Sequence, residues 1–431
     1  MKQGIISSRT TCRVCGHELV SIFSIGDLYV SDFVDDNLAA EDSSKKSPLH
    51  LVLCNEKDGG CGLLQIKDTV SHEDMYRNYW YRSGINKTMT DELAGIAHKI
   101  ESLVGLKSGD AVIDIGSNDS TLLRSYETDG LELIGFEPAK NLMQYARDGV
   151  TEVINDFFAY EQWNKRFEDK KAKAVTAIAM FYDLENPNEF VNDVKRCLAE
   201  DGVFIIQMSY LPLMLLENAF DNICHEHLEY YSLLSLENLL ERHGLEVFDV
   251  ELNDVNGGSF RVYICHKNGS SSINMPIGAG IRLESLKKYE EDFGLDDRKI
   301  YDDFVARVED IKRKIVDLIK KESSAGKKIY AYGASTKGNT LLQYFGLDNK
   351  LITAAADRNP VKWGKKTVGT MIPIISEEQA RNEKPDYFLI LPWHFLKEFK
   401  SREAEFLSRG GRFIIPLPHP IILGSDGSHP A

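Results

Sequence analysis

The sequence predicts an α/β protein in three parts: a small N-terminal zinc-binding domain over residues 1–75, a Rossmann-like domain over 76–270, and a second Rossmann-like α/β domain over 271–431. Three observations predict it. Four of the seven cysteines crowd the start of the chain. Two separate stretches alternate short apolar runs with helical patterns, which implies βαβ units and parallel sheets. A length of 431 residues exceeds what one hydrophobic core supports.

Composition narrows the function. Hydrophobic residues make up 43% and charged residues 27%, an ordinary globular mixture. The net charge of −15 leaves no basic surplus to displace counterions from a phosphate backbone, so nucleic acid is not expected as a partner. The start, MKQGIISSRTTCRVCG, has no apolar core like that of a signal peptide. The longest apolar runs, 174–180 and 211–216, are too short to span a bilayer. The expectation is a cytoplasmic protein with no membrane partner.

In the first part, Cys12-x2-Cys15 lets two thiolates from one turn grip a tetrahedral ion, with Cys54 and Cys61 as the second pair. An odd cysteine count with this clustering suits a metal site better than a disulfide frame. A closed four-thiolate Zn2+ site leaves no position for water, so its role is structural. The alternative is four small core residues.

In the second part, segments 111–115, 131–136, 174–180 and 202–207 read as buried strands, and 121–128, 140–147 and 187–199 as helices. Asp114 ends the first strand, and Gly116 permits close approach of a ligand. Asn118 and Asp119 complete that turn, and Glu137 closes the next strand at the spacing of a ribose-binding acid. Asn155, Asp156 and Phe157 follow where an adenine pocket belongs. The dinucleotide fingerprint needs three glycines, and a carboxylate at Asp119 repels pyrophosphate while tolerating a sulfonium or amino group. The cofactor expected is therefore S-adenosylmethionine.

Further on, Cys224-His225-Glu226-His227 lies among aromatic residues. In an extended segment His225 and His227 share a face and Glu226 points away. A histidine with pKa near the working pH can take a carbon-bound proton. The alternative is a pair of structural histidines.

After a Gly- and Ser-rich connector at 267–278, one long helical region runs from 281 to about 322. A second α/β pattern follows, with strands at 328–332, 351–356, 387–391 and 412–415 and a helix at 338–345. Its loop, Gly333-Ala-Ser-Thr-Lys337-Gly-Asn339-Thr, nearly matches a phosphate loop, but Asn339 replaces the essential lysine. Backbone amides and Lys337 remain suited to a diphosphate, with Asp357 at a ribose position and Arg358 and Lys362 nearby. The alternative is a scaffold that binds nothing.

Taken together, the four cysteines, residues 114–119, the His-Glu-His segment, Asn256-Gly-Gly-Ser259 and the loop at 332–339 resemble the S-adenosylmethionine-dependent sugar C-methyltransferases. The resemblance covers nearly the whole chain. It implies a nucleotide-linked keto-deoxysugar as substrate, cradled partly by the C-terminal domain, and a monomer. It implies His227 as the base that removes a proton beside a 4-keto group, with C3 the expected carbon and Glu226 as its neighbour. It also implies a tyrosine at the reacting sugar, for which Tyr79 and Tyr81 are candidates and Tyr81 is preferred. Asn256, Ser259, Lys337, Asn339, Arg358 and Lys362 would contact substrate.

Two departures stand out. Cys224 replaces the family tyrosine, a weaker hydrogen-bond partner at the substrate. Ser120 replaces a glycine and is tolerable if its φ is negative. Three rivals remain: a methyltransferase with another keto or hydroxyl acceptor, a non-catalytic nucleotide-sugar binder, and a nicotinamide dehydrogenase.

Overall fold

The computed structural model describes residues 7–35, 46–77, 79–267, 269 and 273–431. The start of the chain and part of the expected connector lie outside them.

The central sheet contains β1 (Ala111–Ile115), β2 (Glu132–Phe136), β3 (Glu152–Ile154), β4 (Ala172–Ile178), β5 (Leu198–Ser209), β6 (Leu245–Asn253) and β7 (Ser259–His266). Their order is β6-β7-β5-β4-β1-β2-β3. The strands β5, β4, β1, β2 and β3 run parallel, and β7 is antiparallel to both neighbours. The chain builds outward from β1 to β3, then returns to build the other half from β4. The crevice between the carboxyl ends of β1 and β4 is therefore a topological switch point, where such sheets bind ligands.

The helix Lys87–Val104 covers one face, burying Leu93, Ile96, Ile100 and Leu103 at helical spacing. The Asn86 side chain caps its start and Gly105, at φ 56°, closes its end. The expected helix at 121–128 is only a 3-10 turn at Leu123–Ser125. The chain reaches that turn through Asn118 and Ser120 at φ 53° and 61°, and Glu101 draws the amides of Glu127 and Thr128 away from helical bonding. Ser120 thus occupies the left-handed region, so the condition of a negative φ is not met.

The N-terminal sheet pairs Val20–Tyr29, Lys46–Leu53 and Leu64–Ile66, and Glu229–Tyr230 from the central part adds its fourth strand. The C-terminal sheet contains β8 (Ile329–Tyr332), β9 (Ala355–Asp357), β10 (Ile374–Ser376), β11 (Tyr387–Ile390), β12 (Arg412–Ile415), β13 (Ile421–Gly424) and β14 (Gly427–Pro430). Their order is β10-β9-β8-β11-β12-β13-β14, with the first five parallel. The expected long helix is two, Ala279–Phe293 and Arg298–Ser324. Gly294 at φ 77° ends the first, and the Asp297 side chain caps the second.

The parts share cores. One apolar cluster joins Leu49 and Leu51 of the N-terminal sheet to Leu211, Phe220 and the strands of the C-terminal sheet. Phe33–Val34 also pairs directly with Lys366–Thr367.

Candidate active site

The four cysteine sulfurs lie within 4.8 Å of one another. Cys12 Sγ is 3.6 Å from Cys61 Sγ, and Cys15 Sγ is 3.3 Å from Cys54 Sγ. Zinc–thiolate bonds of about 2.3 Å in a tetrahedron put sulfurs roughly 3.8 Å apart, so the cluster has the size of a zinc site. The Val14 amide and the Gln65 side chain donate to Cys12, and the Cys61 amide donates to Cys54. Such donors favour thiolates over neutral thiols.

The cofactor cradle sits at the switch point. Gly116 has φ 70°, and a Cβ there would lie 3.1 Å from Met180 Cγ at the end of β4. Asp114 is buried and accepts from the Thr176 hydroxyl at 2.6 Å. Glu137 Oε2 accepts from the Asn118 amide at 2.8 Å, and Oε1 from the Ala139 amide at 2.7 Å. These bonds fix the carboxylate and leave each oxygen a further lone pair, as a ribose diol requires. Burial pushes both Asp114 and Glu137 up to about 7.

Asn155 donates to the Glu137 carbonyl at 2.8 Å. Asp156 accepts from Arg77 and Gln162, and the Arg77 guanidinium stacks over Phe157. Asp119 accepts from the Gly84 amide and the Thr121 hydroxyl, and so ties the cofactor turn to the segment after Tyr81. This donor set fits a nucleoside with a polar amino-acid tail.

The His-Glu-His segment is a turn, not the expected extended run. His227 N donates to the Cys224 carbonyl at 3.2 Å, and the turn sends the two histidines to different places. His225 is 3% exposed, with Nε2 at 3.0 Å from the Ser47 carbonyl of the N-terminal sheet. That contact pins the loop to the zinc-bearing part.

His227 instead points Nδ1 at the Asn222 carbonyl, 3.0 Å away. A carbonyl only accepts, so Nδ1 carries the proton and Nε2 keeps its lone pair. The ring of Tyr182 packs against it, centroids 4.4 Å apart. Burial, and then the charge of Lys337, pull His227 down to about 3. This is well below the working pH expected for the base. The ring is held neutral, and negative charge developing on a ligand beside it would raise its basicity.

Burial raises Glu226 to about 7, while the Cys224 thiol and the Thr336 hydroxyl hydrogen-bond its carboxyl. The Cys224 thiol thus faces Glu226. Glu226 Oε2 is buried without a hydrogen-bond partner among the described residues. The Tyr79 hydroxyl is raised by burial and then by the charges of Asp183, Glu226 and Glu137. Tyr81, pushed up to about 12 by burial and Asp119, belongs with the cofactor turn. Of the two candidates, Glu226 acts on Tyr79 and not on Tyr81.

Comparisons with known proteins match three successive stretches of the chain. Residues 12–76 match a zinc binding domain, 85–250 a methyltransferase domain, and 254–418 a C-methyltransferase C-terminal domain. The C-methyltransferase NovU of Streptomyces niveus is 32% identical over 431 residues, covering 99% of this chain and 100% of that protein. The chain belongs to the C-methyltransferase family.

This C-methyltransferase uses S-adenosylmethionine and carries a structural zinc site. Among solved structures, the PH0226 protein of Pyrococcus horikoshii OT3 is 16% identical, with a TM-score of 0.35, and covers 43% of this chain and 95% of its own. The magnesium protoporphyrin IX methyltransferase of Synechocystis PCC 6803 is 11% identical, with a TM-score of 0.33, over 42% of this chain and 88% of its own.

The expected substrate residues of the C-methyltransferase separate into two groups. Lys337 donates to the Asn256 carbonyl at 3.3 Å across the junction of the central and C-terminal parts, and is drawn toward Asp221 and Cys224. These residues gather on the side of His227.

The others are engaged elsewhere. Asn339 donates to the Asp32 carbonyl of the N-terminal part at 3.2 Å. Lys362 is bonded to Ala334 and Asp357 and lies over the Phe33 ring. Asp357 itself accepts from the Ala334 amide. Ser259 is buried and donates to the Val255 carbonyl, and exposed Arg358 pairs with Glu398. Asn339, Lys362, Ser259 and Arg358 thus each give at least one polar group to a protein partner, while Arg358 stays exposed.

Sequence reasoning missed Tyr182, Asp183 and Asp221. The first two follow β4, and the rule that switch-point sheets bind ligands at carboxyl strand ends could have found them. Asp221 is 2% exposed and accepts from Trp393 at 3.2 Å, a partner far away in sequence.

Proposed function

We propose that the chain transfers a methyl group to the carbon beside the ketone of a nucleotide-linked 4-keto-deoxysugar, with C3 the expected carbon and His227 the base. In this reading residues 1–75 form the zinc-bearing domain, 76–270 the methyltransferase domain and 271–431 the domain that cradles the nucleotide. The observation that carries the reading is the end of β4. Met180 lies under the cofactor glycine, and two residues later Tyr182 packs against His227. One short turn thus joins the methyl donor's cradle to a neutral imidazole whose Nε2 is free to accept a proton.

The ketone acidifies the adjacent C–H. His227 Nε2 takes that proton, and its Nδ1–H keeps the Asn222 carbonyl throughout, so the ring is fixed in the basic tautomer. The bound cofactor supplies an electrophilic methyl on a sulfonium that leaves as a neutral thioether. Glu226 and Tyr79 hold the sugar ring, and Lys337 offers a positive charge to the anionic part of the substrate.

The test combines isotope-labelled S-adenosylmethionine, a panel of nucleotide 4-keto-6-deoxyhexoses and mass spectrometry of the products. Carbon-methylated product from wild type, and none from His227→Ala with cofactor affinity unchanged, supports the reading. Full turnover by His227→Ala refutes the base assignment.

A further inference from the structure

The chemistry above leaves unused an acid close to the base. Asp183 ends the 3-10 turn Phe181–Asp183 after β4. The base-bearing loop is fastened to that turn twice: the Leu228 amide donates to the Tyr182 carbonyl at 2.9 Å, and the Tyr182 ring meets that of His227. Asp183 Oδ1 is buried and has no hydrogen-bond partner among the described residues. Tyr76 hydrogen-bonds the carboxyl, and the charges that act on it, Glu226 and Glu229, are of its own sign. Burial, reinforced by these two acids, raises Asp183 well above the usual carboxylate range. In its protonated form, which this environment favours, the group has an O–H to donate.

A carboxylic acid kept neutral in an apolar pocket can hydrogen-bond an enolate oxygen. We propose that Asp183 is a catalytic residue that donates its O–H to the substrate oxygen on which negative charge develops. The proposal rests on the keto-sugar reading above. As His227 takes the proton, the C–H electron pair becomes the enolate double bond. The carbonyl π pair moves onto oxygen, where Asp183 meets it without giving up its own proton. When the carbon bonds to the methyl group, the pair returns to restore the ketone, and the proton on His227 passes to solvent.

The test isolates enolisation. Exchange of the hydrogen beside the ketone is followed by NMR in D2O, with S-adenosylhomocysteine in the cofactor site so that no methyl can transfer. Removing one oxyanion donor costs about 10²–10³ in rate. Asp183→Ala is expected to slow exchange about 100-fold, and Asp183→Asn, which keeps a neutral donor, to stay within about tenfold of wild type. Calorimetric affinity for the sugar should change little in either. Wild-type exchange by Asp183→Ala overturns the assignment. So does a folded Asp183→Asn slowed about 100-fold, which remains decisive if the alanine variant does not fold. Absence of exchange by wild type on every 4-keto sugar overturns the underlying reading and takes this one with it.

Discussion

The rings of Tyr182 and His227 meet edge to face, with centroids 4.4 Å apart and planes at 63°. Tyr182 is 8% exposed, and its carbonyl also receives the Leu228 amide. Tyr182→Ala should free the imidazole to rotate and leave a cavity. We expect a stability loss of about 3 kcal/mol by chemical denaturation and a fall in kcat of at least roughly tenfold. Tyr182→Phe keeps the ring contact and should stay near wild type. Equal damage in both variants would mean that the hydroxyl, not the packing, matters.

Glu137 and Asp114 give the protein a pH signature. Burial raises each to about 7, above its unfolded value. Between the ordinary carboxylate range and pH 7, the folded state therefore binds more protons than the unfolded chain. The contribution of these groups to stability of the cofactor-free protein falls as pH rises through that window. Cofactor affinity runs the other way, because only the ionised Glu137 can accept both ribose hydroxyls. Calorimetry should show binding weakening below pH 7, approaching about tenfold per unit. Glu137→Gln should bind weakly, with a flat profile.

Zinc loss should travel beyond the cysteines. The sheet built on this part includes Glu229–Tyr230, immediately after the His-Glu-His turn, and Glu229 pairs with Gln65. Cys12→Ser should abolish the one zinc per chain that elemental analysis is expected to find. It should lower the melting temperature and weaken turnover through this shared strand. Full zinc content in Cys12→Ser would contradict the four-cysteine site.

Lys337 should separate substrate from cofactor. Its ammonium sits at the junction beside Asn256 and is attracted by Asp221. A charged hydrogen bond is worth about 1.5–3 kcal/mol. Lys337→Met should therefore raise KM for the nucleotide sugar by about tenfold or more while leaving cofactor affinity unchanged, as read by steady-state kinetics and calorimetry.

Much of the scaffold was legible because local chemistry wrote it. The apolar run of β1 stands over Ala111–Ile115, and the four cysteines come together as their spacing predicts. What failed depended on tertiary partners. The turn at 224–227 cannot be told from an extended run without the Ser47 carbonyl that captures His225. Nothing local to Asn339 announces that Asp32, over three hundred residues away, will take its amide. The 3-10 turn at Leu123–Ser125 replaces a helix because Ser120 adopts a backbone angle that serine seldom takes.

The central claim is that carbon, made acidic by a ketone and stripped of a proton by His227, receives the methyl group. The most direct measurement is NMR of the product from a nucleotide 4-keto-deoxysugar deuterated at C3. The account predicts a new carbon–carbon bond next to the ketone, with one deuterium lost to solvent. A methyl on oxygen with every deuterium retained would contradict it.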